Sequence, residues 1–115
     1  MKDFRDLKVW QKAHRLTLAA YAATSTFPRE ELYGLTNQIR RCAGSVAANI
    51  AEGCGKRGNP EFQRFLNIAS GSASELEYLS ILVADLAYLD RNAAGKIGDQ
   101  AIEVRRMLSG LMGSF

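Results

Sequence analysis

Apolar side chains in this chain recur at steps of three and four, the spacing that gathers them on one stripe of an α-helix. No segment shows the convincing two-residue alternation of a half-buried strand. Val9, Ala13, Leu16, Ala20 and Ala23 trace one stripe, with Trp10, His14, Thr17 and Tyr21 forming a second beside it. Leu35, Ile39, Cys42, Val46 and Ile50 trace the next helix, and Ile97, Ala101, Val104, Leu108 and Leu111 the last. Asp6 is the expected cap of a first helix running to about Thr24. In STFPREELYG, Pro28 suits the first turn of a short helix and Gly34 offers a kink or restart. The second helix is expected to stop near Gly53, with Gly53 and Gly55 as natural left-handed ends. After the linker CGKRG, Asn59, Pro60 and Glu61 read as cap, first-turn proline and first-turn acid. A third helix from there to Asp90 would be about 30 residues and on the order of 45 Å long. A fourth runs from about Ala94 to Met112.

Four helices with short connections predict an all-α, antiparallel up-down-up-down four-helix bundle, a single domain over residues 1–115. A chain that is 47% hydrophobic and 23% charged can fill such a core, which argues against disorder. No apolar run reaches the ~18 residues of a membrane span, and MKDFRDLKVW mixes charges where a signal peptide needs an apolar stretch. The expectation is a cytoplasmic protein with no membrane partner.

The third helix has more apolar surface than one stripe can hide. Phe62, Phe65, Leu66, Ala69, Leu76 and Val83 share one side, while Ile68, Leu79, Leu82, Leu86 and Leu89 widen it past the usual ~100°. With Trp10, Tyr21 and Tyr88 also available, self-association is the expected way to cover the surplus.

Folding the second and third helices about residue 56 sets AGSVAA (43–48) opposite roughly residues 65–70, where small side chains permit close backbone approach. The same reflection sets Asn49 and Glu52 opposite Arg64 and Glu61. Glu52, one residue before Gly53, meets the partial negative charge of a helix end and calls for a compensating cation. The expected answer is a Glu52–Arg64 pair, with Asn49 hydrogen-bonding nearby backbone. Asn49, Glu52, Gly53 and Arg64 together form the expected structural motif of the hairpin.

Catalysis finds little support. His14 is the single histidine, flanked by Trp10 and Tyr21 as a packing or interface residue would be. Ser45, Ser70, Ser72 and Ser74 lie inside helices, with no turn to expose a nucleophile. Glu52, Glu75 and Glu77 lack the Glu-x-x-His pairing of a di-metal bundle. Cys42 and Cys54 show no metal spacing; Cys42 reads as a small core residue and Cys54 as an exposed or half-buried thiol. A non-enzyme without metal or cofactor is therefore expected.

Charge gives the sharper lead. Residues 1–57 hold ten Lys/Arg against five Asp/Glu, and residues 58–115 five against seven. Arg5, Lys8, Lys12 and Arg15 fall within roughly 80° of one flank of the first helix. Arg40, Arg41, Lys56 and Arg57 would extend this ridge into a phosphate-contacting surface for RNA or DNA. No aromatic platform or base-reading motif accompanies it, so shape and charge would outweigh sequence. The opposing reading is an ordinary solvated stripe, or one facing Asp85, Asp90, Asp99 or Glu103 of another copy.

Several segments in order carry a family resemblance. Phe4, Leu7, Val9 and Trp10 come first, then Phe27, Pro28, Tyr33, Gly34, Leu35, Gln38, Arg40 and Arg41. Ser45 and the run Asn49 to Gly53 follow, and last come Phe62, Arg64, Phe65, Gly71, Ser72, Glu75 and Leu76. This succession, over residues 4 to about 90, resembles the 23S rRNA intervening-sequence proteins of bacteria. The resemblance implies a four-helix bundle assembled as a ring-like homopentamer. It also implies kinship in fold with the accessory variability determinant of diversity-generating retroelements, which binds reverse transcriptase and nucleic acid through a basic surface. Ala47 stands where many relatives have proline, so any kink in the second helix should be weaker here. Two functions stay open: an accessory role at nucleic acid or beside a nucleic-acid enzyme, and a protein-interaction scaffold.

Overall fold

The computed structural model describes residues 3–115, and among them every regular element is helical. Helix α1 spans Lys8–Thr24, α2 Asn37–Cys54, α3 Asn59–Asp85 and α4 Arg91–Met112. Each packs against its sequence neighbours, and α4 returns to α1, which closes an elongated up-down-up-down bundle of 43 × 22 × 19 Å.

The start of α1 differs from expectation. Asp6 is not its cap: Asp3 accepts the Arg5 backbone N–H at 3.0 Å and caps a short 3₁₀ turn, Phe4–Asp6. The chain then passes through extended Leu7 before α1 begins, and the Gln11 amide ties back to the Arg5 carbonyl at 2.9 Å. From there the stripe Val9, Ala13, Leu16, Ala20 and Thr24 is buried. Thr24 remains inside because its hydroxyl donates to the Ala20 carbonyl and accepts from Arg40 Nε.

The α1–α2 connector is a 3₁₀ turn, Arg29–Glu31, followed by the segment Leu32–Thr36, which is kinked at Gly34 where the backbone leaves helical geometry (φ −107°, ψ −115°). Glu31 stitches it down. One carboxylate oxygen accepts the Leu35 N–H at 3.1 Å, and the other accepts the Tyr88 hydroxyl at 2.9 Å. That hydrogen bond to Glu31, with some burial, pushes the Tyr88 phenol above its ordinary pKa. A Cβ at Gly34 would lie 2.5 Å from Glu31 Oε1, so the Glu31 carboxylate would have to shift from the position in which it accepts the Leu35 N–H.

Two helix boundaries also move. Gly58, at φ +78°, occupies the cap position before α3, so Asn59 and Pro60 lie within the first turn. At its other end α3 stops at Asp85 rather than Asp90, because Ala87 adopts φ +61° and the Tyr88 N–H returns to the Val83 carbonyl. Asp90 serves as the cap of α4, accepting the Ala93 N–H at 2.8 Å. An alanine in the left-handed region is strained by about 1–2 kcal/mol. Ala87→Gly should therefore raise stability by up to about 1 kcal/mol, read as a higher urea midpoint with unchanged slope; a lower midpoint would contradict the strain.

The hairpin of α2 and α3 is set about one turn away from simple reflection around residue 56. Ser45 meets Ser72, Oγ to Oγ at 2.9 Å, and Gly53 lies against Phe62 and Phe65. The expected Glu52–Arg64 pair is absent: Glu52 points outward, and Arg64 pairs with Glu61 one turn before it at 3.5 Å. Arg64 also lies over the Phe65 ring. Asn49 does bond nearby backbone, donating to the Ser45 carbonyl at 2.8 Å and to its hydroxyl at 2.9 Å.

The apolar surplus of α3 is smaller than the sequence suggests. Leu79 is buried in the chain's own core, and Leu82 and Leu89 pack against it half-buried. Ile68, Tyr78, Ile81 and Leu86 remain 42–58% exposed, and Leu18 on α1 is 57% exposed. At about 100° per residue, Ile68 and Leu86 share one azimuth on α3, with Tyr78 and Ile81 about 80° and 140° away. Tyr78 and Ile81, three residues apart, are neighbours on the outer face, while Ile68 and Leu86 lie away from them toward the two ends of the helix, so no single patch gathers all four.

Candidate nucleic-acid interface

Helix α1 presents two unpaired cations on its outer face. Lys8 and Arg15 are seven residues apart, hence nearly in line, and both are exposed with no acidic partner within 4.0 Å among the described residues. The other six candidate basic residues are placed differently. Lys12 turns toward α4 and pairs with Glu103 at 2.6 Å within the same chain. Arg5 pairs with Asp3 at 3.2 Å and lies over the Phe4 ring at 4.5 Å.

Arg40 is turned inward as a brace. Its Nε donates to Thr24 Oγ1 at 2.9 Å, its Nη2 reaches the Tyr21 carbonyl at 3.5 Å, and its plane covers the Tyr21 ring. Lys56 lies over Phe65 at 5.6 Å, while Arg41 and Arg57 are exposed. Because α2 is antiparallel to α1, with the Thr17 hydroxyl bonded to the Ala43 carbonyl, Arg40 and Arg41 lie at one end of the bundle. Arg5, Lys8, Lys56 and Arg57 lie toward the other, roughly 22 Å along α2. The eight residues thus do not make one continuous ridge.

An aromatic stack missed by the sequence reading adjoins the basic end. Phe4 meets Trp10 edge-on with centroids 4.9 Å apart, and Trp10 stacks parallel on His14 at 5.2 Å. The four-residue spacing of Trp10 and His14 is a sequence signal for their contact; Phe4, on a separate turn, gives none. His14 is exposed, so the stack runs from the edge of the core into solvent.

A concave feature lies between α2 and α3, an open cleft of about 450 Å³. Arg41 and Glu75 face it from opposite helices, and the 90% exposed Tyr33 stands at its edge. Its floor is an ordered chain of hydrogen bonds. Asn49 donates to the Ser45 carbonyl and hydroxyl, and the Ser45 and Ser72 hydroxyls share a hydrogen bond at 2.9 Å.

Beneath them, the Cys42 thiol donates to the Ser72 carbonyl at 3.0 Å. Burial, with the neighbouring Glu75 carboxylate, pushes this thiol up to about 12. The unfolded chain would ionise it near 9.0 while the fold keeps it protonated, so stability should fall as pH rises from about 9 to about 12. Cys42→Ser should flatten that part of the stability–pH curve; an unchanged alkaline slope would contradict this. Cys54, expected to be exposed or half-buried, is 3% exposed. Among the described residues no three His, Cys, Asp or Glu side chains gather as a metal site, and no helix is long and apolar enough to cross a membrane.

The comparisons agree with this architecture. A protein of unknown function from the S23 ribosomal protein family of Bacteroides thetaiotaomicron superposes with a TM-score of 0.81, covering 90% of this chain and 97% of its own at 24% identity. At that identity the likeness shows the fold alone. No curated protein matches. The 23S rRNA-intervening sequence protein family matches residues 5–110, which extends into α4, and this chain belongs to that family.

Proposed function

We propose that the protein is a non-catalytic, self-associating helical bundle of the cytoplasm that binds nucleic acid through the outer face of α1, acting beside a nucleic-acid enzyme. The observation that carries this reading is the pair Lys8 and Arg15, exposed and without acidic partners among the described residues, next to the Phe4–Trp10–His14 stack. Cations that the fold does not neutralise release counterions when they meet phosphates, and aromatic faces accept unpaired bases. Single-stranded RNA or DNA is the favoured ligand. Lys8→Glu with Arg15→Glu should weaken binding to a mixed-sequence RNA by tenfold or more at low salt, in a fluorescence anisotropy titration. Unchanged affinity would remove α1 from the interface.

A scaffold reading without nucleic acid has its own support in Leu18, Tyr78 and Ile81, each at least 55% exposed. Copies arranged in a ring would cover such surfaces and repeat the basic face, which adds avidity. A solution mass by light scattering tests this part: a multiple of the single-chain 12.6 kDa supports it, and a dilute monomer contradicts it.

A further inference from the structure

Arg41 and Glu75 are opposite charges on facing helices that do not close on one another. Among the described residues neither has an ion-pair partner within 4.0 Å; Glu75 meets a long contact from the Gln38 amide at 3.5 Å and neighbours the Cys42 thiol, which leaves its charge uncompensated. The cleft keeps them apart. Beside them Tyr33 holds a ring in solvent, next to the kink at Gly34 that Glu31 fastens through the Leu35 N–H. Below them the Ser45 and Ser72 hydroxyls, hydrogen-bonded to one another, give the cleft a polar floor.

A ligand satisfying this arrangement needs a flat face for Tyr33, two adjacent acceptors for a guanidinium and two adjacent donors for a carboxylate. Guanine offers all three. Its O6 and N7 match Arg41, and its N1–H and N2–H₂ match a carboxylate in the way a second guanidinium would. Adenine has no paired donors for Glu75. An arginine side chain from a partner would suit Glu75 and Tyr33 but is repelled by Arg41. The cleft volume of about 450 Å³ is ample for one base.

We infer that the α2–α3 cleft is a guanine site, with the base stacked on Tyr33 and held between Arg41 and Glu75. It rests on the nucleic-acid reading above only for the source of the base; the site is equally open to a free nucleotide. This would add base selection to a surface whose α1 face reads only phosphate and stacking.

Calorimetric titration of the full chain with guanosine, GMP, inosine, 7-deazaguanosine and adenosine tests the site directly. Guanosine should bind at least about tenfold tighter than adenosine, because a bidentate base contact is at stake. Inosine, lacking the N2 amine, and 7-deazaguanosine, lacking N7, should each fall between them. Glu75→Gln and Tyr33→Ala should each weaken guanosine binding about tenfold. Both residues are exposed, and an unchanged thermal melt would show that the fold is intact.

Equal binding of guanosine and adenosine, no binding of either, or indifference to Glu75→Gln would overturn the site. A single strand carrying guanines should bind more tightly than its adenine counterpart. If strands bind at low salt while guanosine shows no advantage over adenosine, the cleft is refuted while the α1 reading stands. If guanosine binds selectively but no strand associates at low salt, the cleft stands as a free-nucleotide site and the α1 reading fails.

Discussion

Leu66→Ala should lower the free energy of unfolding by about 2–5 kcal/mol, the loss expected where a fully buried leucine is truncated. Leu66 is fully buried on α3, the helix that packs against both α2 and α4. Removing most of its side chain forfeits the transfer free energy and leaves a void among helices that cannot collapse independently. A urea unfolding curve should show a lower midpoint at a nearly constant slope. A loss below about 1 kcal/mol would mean that this layer of the core is looser than described. Where copies associate, the measurement has to be made at fixed concentration, because assembly adds its own stabilisation.

Gly53→Val should cost about 1–3 kcal/mol even though it replaces a poor helix former inside α2. The first added carbon would sit 3.0 Å from Phe65 Cβ and 3.1 Å from Phe62 Cδ1. Cβ of Phe65 moves only with the backbone, so the two helices would have to separate near their hairpin. The control is Gly44→Ala, also in α2, where a new Cβ meets nothing within 4 Å. In an isolated chain that change should stabilise by about 0.5–1 kcal/mol, from helix propensity alone. Equal effects at positions 53 and 44 would contradict the close packing of Phe62 and Phe65 on Gly53.

The helices were legible because their periodicity is physical: a stripe such as Ile39, Cys42, Val46 and Ile50 has one place to go. The boundaries were less so. LAYLD continues the apolar pattern of α3, and nothing local announces that Ala87 turns left-handed or that Asp90 starts a new helix. The Glu52–Arg64 pair failed on register, since a shift of one turn leaves the acid outward and gives Arg64 to Glu61, a partner on its own helix.

The basic residues themselves were visible in the sequence, but their availability was not. Lys12 is neutralised by Glu103, ninety-one positions later, and Arg40 is spent on Thr24 and Tyr21; both contacts exist only once the bundle has closed. The cleft was beyond sequence reasoning for the same reason. It needs the kink at Gly34 beside Tyr33, and the α2–α3 register to set Arg41 across from Glu75 without an ion pair.

Because the exposed cations of α1 carry the functional proposal, the salt dependence of nucleic-acid binding tests it most directly. Affinity for a mixed single-stranded RNA, measured from about 50 to about 300 mM salt, should fall linearly on a log–log plot. The Lys8→Glu, Arg15→Glu protein should show a slope shallower by about one to two. No association at 50 mM salt, or an affinity indifferent to salt, would contradict the account.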